Sequence, residues 1–109
     1  MALFDVAGVQ QRLEAGTGGY EIVHGSPGLE IGVYVLVAPE PDHQSPHEDD
    51  EVYVVLEGRA KLRGGSEEQE VRPGLILFIR ADSRHSFVDI EEDLTLLALF
   101  SESEKPWKG

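Results

Sequence analysis

The sequence contains no cysteine, which excludes disulfide stapling, thiolate metal ligation and thiol nucleophiles, and leaves nitrogen and oxygen donors for any bound metal. Basic residues are scarce: nine Lys and Arg stand against 21 Asp and Glu, a formal charge of -12. Such a field repels phosphate backbones and anionic headgroups, so neither nucleic acid nor a membrane is expected as a partner. No apolar run approaches the roughly 20 residues that a membrane-spanning helix needs. The opening Met1-Ala2-Leu3-Phe4-Asp5 has no basic stretch ahead of an apolar one, so no secretory signal is expected and the cytoplasm is the expected location. Internal repeats, low-complexity segments and the G-x-S-x-G elbow of serine hydrolases are also missing.

What is present, 109 residues of which 40% are hydrophobic, suffices for one core, and a single domain over 1–109 is expected. Residues 1–19 form its N-terminal segment, 20–100 its body and 101–109 a polar tail. Val6, Val9 and Leu13 recur at helical intervals behind Asp5, a candidate N-cap, so one short helix is predicted over residues 5–14. Beyond residue 19 the pattern changes to short runs of Val, Ile, Leu, Tyr and Phe divided by Gly, Pro, Asp and Ser. Strands are expected near 20–24, 29–38, 51–56, 59–63, 69–71, 75–79, 86–88 and 94–100. Glu57-Gly58 and Gly64-Gly65 suit tight turns, and Pro73-Gly74 has the order of a type II turn. Many short strands with no crossover helices make the fold class all-β, a barrel or sandwich behind one short N-terminal helix.

Chemistry concentrates between Asp42 and Glu51, where a polar stretch containing His43, Gln44, His47 and Glu51 runs into the apolar Val52-Tyr53-Val54-Val55-Leu56. A metal site needs neutral imidazole and ionised oxygen donors converging from more than one element. His47 and Glu51 supply two donors across one bend. His85, at a loop–strand junction ahead of Ser86-Phe87-Val88, is the candidate third. His24 and His43 have no motif partner and read as surface histidines, and Glu48-Asp49-Asp50 as solvent-facing charge.

At these residues the sequence resembles the cupin superfamily. The first motif of that family, G-x5-H-x-H-x3,4-E-x6-G, is matched in its second half by His47, Glu51 and Gly58, with Ser45 and Pro39 in place of the first histidine and leading glycine. The second, G-x5-P-x-G-x2-H-x3-N, is matched by Gly74 and His85, with Arg80, Asp82 and Asp89 at its proline, second glycine and asparagine. The resemblance extends over nearly all of the chain after residue 20, and implies a small single-domain double-stranded β-helix, the jelly-roll or cupin barrel.

It further implies that His47, Glu51 and His85 hold a divalent transition metal (Fe, Mn, Zn or Ni), with the fourth family position vacant at Ser45. Two histidines and one carboxylate with open positions make the facial triad of non-haem iron sites. Water, then Gln44, then His43 are the candidates for completing the shell. Strand parity turns Tyr53 and Val55 the same way as Glu51, and Phe87 the same way as His85, which gives an apolar cup for a small oxygenated molecule. The same rings would equally serve as core filling. Arg80 and Arg84 stand where they would draw a carboxylate to the mouth, or lie solvated beside the turn.

Two functions are consistent with this: a metal-dependent dioxygenase, isomerase or lyase with Tyr53 as proton donor, or a binding and sensing module without turnover. The partner is a small molecule in both. Cupins commonly pair, and residues 29–38, apolar on both faces, lead us to expect a homodimer.

Overall fold

The computed structural model of the chain describes residues 1–39, 50–81 and 83–101. Its elements, in order, are α1 (Val6–Ala15), β1 (Gly19–Ser26), β2 (Leu29–Leu36), β3 (Glu51–Gly64), β4 (Glu67–Val71), β5 (Ile76–Ile79) and β6 (Ser86–Phe100). All strand pairs are antiparallel, in the order β1-β2-β6-β3-β4, with β5 also against β3. A mostly antiparallel jelly-roll barrel with one short N-terminal helix is the architecture that the alternating runs call for.

The helix begins where the apolar spacing places it. Asp5 holds the N-cap position, although its side chain makes no capping bond. Reversal after the helix is achieved by the backbone, with the amides of Gly16 and Gly18 donating to the Leu13 carbonyl at 3.2 and 2.9 Å. Two of the expected turns are present. Gly65-Ser66 joins β3 to β4, and around Pro73-Gly74 the Leu75 amide donates to the Arg72 carbonyl at 3.4 Å.

Glu57-Gly58 is different. A tight turn is predicted there, but the chain continues as one 14-residue strand and the dipeptide forms a bulge, with register shifts between Val55 and Glu57 and again between Glu57 and Arg59. Gly58 has φ +102, and a Cβ on it would collide with the carbonyl of Asp93 and the Cα of Leu94 on the neighbouring strand. The bend lets one strand serve two partners along one edge: residues 51–54 pair with β5 and residues 60–64 with β4. The runs 86–88 and 94–100 likewise merge into a single 15-residue β6, which pairs with β3 along its length and with β2 near its end.

Inside the barrel, Tyr53, Val55, Ala60, Val71, Ile79, Phe87, Ile90, Leu94, Leu96 and Ala98 form the main core. A second cluster lies on the outer surface, where Val9 of α1 packs on Val33 and Val35 of β2 with Val6, Leu13, Val23 and Val37 around them. Each fully buried valine stabilises the fold by about 1.5–3 kcal/mol. The apolar character of both faces of β2 is therefore satisfied within one chain: Tyr34 and Leu36 turn into the barrel, Val33 and Val35 lie under the helix. Among the described residues, the apolar side chains left most exposed are Ile76 and Phe78 of β5, besides the N-terminal Met1 and Leu3. Among the described residues, no helix is long and apolar enough to cross a membrane.

Candidate metal centre

Glu51 is the first residue of β3 and His85 immediately precedes β6, yet Glu51 pairs with Phe100 at the far end of β6. Their side chains meet because the barrel closes. His85 Nε2 lies 3.2 Å from Glu51 Oε1, with the two side chains 3% and 1% exposed. A carboxyl group this deep is either neutral or matched by a positive partner, a protonated imidazole or a bound cation, since an isolated buried charge costs several kcal/mol.

The imidazole is oriented from behind. His85 Nδ1 is 3.1 Å from the carbonyl of Ser83; a carbonyl only accepts, so Nδ1 carries the hydrogen. In the neutral ring this leaves the lone pair on Nε2, facing Glu51, the arrangement by which outer groups set up a ligating histidine. Two donor atoms each about 2.1 Å from a shared ion in octahedral or tetrahedral geometry are roughly 3.0–3.4 Å apart. The observed separation of 3.2 Å thus fits a shared metal as well as a hydrogen bond. His47, with the alternative donors His43 and Gln44, lies outside the described residues, and among the described residues no third His, Asp or Glu joins the pair.

Tyr53, Val55 and Phe87, the residues grouped with the site by parity, are each no more than 1% exposed and sit in the packed core. The Tyr53 ring stacks edgewise on Phe87 at 5.3 Å and stands 6.3 Å from the His85 ring, so it is the phenol directly beneath the pair. Open space lies to the side. A cavity of about 780 Å³ reaches His85 past Leu62, Leu75, Leu77 and Ile79, with Arg80 and Arg84 at its edge. Leu77 and Ile79 pair with Tyr53 and Glu51 respectively, so they were within reach of the same parity argument once the β3–β5 register was known.

Two contributions were not anticipated. Asp50, read as solvent-facing charge, accepts the Ala81 amide on Oδ1 at 2.9 Å, while its carbonyl accepts the Ser101 amide at 3.2 Å. It ties the start of β3 to the loop leading to His85 and to the end of β6. Tyr20 of β1 donates its hydroxyl to Glu30 Oε2 at 2.8 Å. Burial, the Glu30 hydrogen bond and charge, and the charge of Glu51 all push the Tyr20 phenol above the usual tyrosine range, so it stays neutral.

Comparison with known proteins agrees with this architecture. The cupin-domain family profile matches residues 33–100. An uncharacterised Streptomyces coelicolor protein is 41% identical over 76 residues, which is 70% of this chain and 72% of that protein. Among solved structures, the TT1209 protein of Thermus thermophilus superposes with a TM-score of 0.73 at 26% identity, covering 93% of this chain and 97% of that one. The DMSP lyase DddQ of Ruegeria pomeroyi superposes with a TM-score of 0.74 at 18% identity, a likeness of fold; 84% of this chain is covered, and it spans 50% of the lyase. With that profile spanning most of the barrel, Glu51 and His85 included, the chain belongs to the cupin-domain family.

Proposed function

We propose that the chain is a metal-dependent small-molecule enzyme of the cupin type, in which His47, Glu51 and His85 hold one divalent transition metal by two imidazoles and one carboxylate. The observation that carries this reading is the buried Glu51–His85 pair, whose imidazole is fixed by the Ser83 carbonyl so that Nε2 faces the carboxylate. His47 enters through its spacing, four residues before Glu51.

When bound, the metal supplies a Lewis acid with open positions, the requirement shared by cupin dioxygenases, isomerases and lyases. The chain's own residues do the rest. His85 lies in the wall of the cavity, and Leu62, Leu75 and Leu77 give that wall an apolar stretch that a small organic molecule could pack against. Tyr53, beneath the pair, is the candidate proton donor. A solved structure of similar fold, from Ruegeria pomeroyi, is a lyase, a chemistry compatible with this reading.

Elemental analysis of natively purified protein tests the reading. About one transition metal per chain is expected, lost in both His47→Ala and His85→Ala while the circular dichroism of the barrel persists. Full metal occupancy in both variants would overturn the assignment.

A further inference from the structure

The cross-strand rows on the inner face of the sheet place a second polar group opposite the metal centre. Glu51 pairs with Phe100 and Phe100 with Glu30, so the two glutamates share one row with a single strand between them, about 10 Å apart at the backbone. One row further in, Tyr53, Ala98 and Gly32 stand side by side, and beyond that Val55, Leu96, Tyr34 and Tyr20. Tyr20 thus starts two rows away from Glu30 and crosses the middle row to reach it.

Gly32 makes the crossing possible. A Cβ at that position would fall within the Tyr20 ring, which lies over the bare backbone, edge-on to Tyr34 and Phe100 at 5.9 and 6.1 Å. The ring is held on three sides, by Gly32 below, by the two aromatic neighbours and by Glu30 at its hydroxyl. Such placement costs side-chain freedom, which the partial burial of a residue 38% exposed helps to offset. Its result is a neutral phenol in the row of Glu51, close enough to that carboxylate to feel its charge.

We infer that Tyr20 is a further residue of the site: positioned by Glu30 and Gly32, it hydrogen-bonds the end of the ligand remote from the metal and selects ligands that carry a hydroxyl there. The chemistry follows from where the hydrogen goes. Tyr20 gives its own to Glu30, so its oxygen faces the ligand as an acceptor, and the adjacent carboxylate repels an anionic group at the same place. A hydroxyl satisfies the acceptor; a carboxylate does not.

The inference rests on the metal reading above, and its test separates the two. Cobalt(II)-loaded protein is titrated with acetohydroxamate and with hydroxamates that bear a hydroxyl at increasing distance from the chelating head, followed by the cobalt absorption. For at least one hydroxyl position, wild type binds about three- to tenfold tighter than to the parent compound, the worth of one neutral hydrogen bond. In Tyr20→Phe that gain disappears while cobalt affinity stays within about twofold, and Gly32→Ala, which displaces the ring from the opposite strand, reproduces the loss. A gain that survives in Tyr20→Phe, or no gain at any hydroxyl position in wild type, overturns the inference and leaves the metal site standing. Failure of wild type to bind cobalt overturns both.

Discussion

Glu51 and Glu30 are the same residue type, in the same cross-strand row, on the same face of the sheet, and they are put to different uses. Glu51 is buried against an imidazole that arrives from the other end of β6, and in the proposed site the two would share one cation. Glu30, at the partly exposed edge, accepts the hydrogen bond of a phenol that it holds in place. A carboxylate's role here is set by depth and partner, and both are fixed by how the strands close.

The largest effects are expected at the buried end. Glu51→Ala or His85→Ala is expected to weaken metal affinity by about 100-fold or more, beyond the loss usual for removing an outer-shell partner, as measured by competition with a chromophoric chelator. Next in size is Gly58→Ala, which acts on the bend that lets β3 serve both β5 and β4. A side chain at φ +102 costs about 1–2 kcal/mol, and the collision with Asp93 and Leu94 adds to it, so a stability loss of about 2–4 kcal/mol is expected in urea denaturation.

Asp50→Ala removes the tie between the start of β3 and the Ala81 amide. It should lower stability by about 1–2 kcal/mol and loosen metal binding by about tenfold, whereas Asp50→Asn, which keeps an acceptor oxygen, should recover most of both. At the exposed end the effects are smaller. Because the folded state raises the Tyr20 phenol, the unfolded chain releases that proton first, near pH 10, and stability falls as pH rises beyond that point. Wild type is therefore expected to lose stability between about pH 10 and 11 more steeply than Tyr20→Phe; parallel curves would show that the phenol is not held neutral by the fold. Smallest of all, Glu30→Gln should leave metal content at the wild-type level, and a matching loss of metal would mean that the two glutamates are not distinct in role.

Much of this was legible in the sequence because the signals are local. Alternation of apolar residues gives the strands, Pro73-Gly74 and Gly65 give their turns, and the spacing of Val6, Val9 and Leu13 gives the helix. Gly58 shows where local signals stop. Glu-Gly is equally suited to a hairpin and to a bulge, and only Asp93 and Leu94, packed across the strand pair, decide for the bulge. Glu51 and His85 were each visible from their positions at the ends of apolar runs, and their meeting follows from closure of the barrel. Tyr20 was hidden for a different reason. Its membership of the Glu51 row appears only once β1, β2, β6 and β3 are placed in register, and no motif marks a tyrosine that depends on a glycine two strand positions behind its partner.

Convergence of the His85 imidazole, just before β6, and the Glu51 carboxylate, at the start of β3, on one metal is tested most directly by X-ray absorption spectroscopy at the edge of the metal bound to native protein. About two imidazole donors with the remainder oxygen are expected, falling to one imidazole in His85→Ala reconstituted at high metal concentration. A first shell of oxygen alone, or one unchanged by His85→Ala, would contradict it.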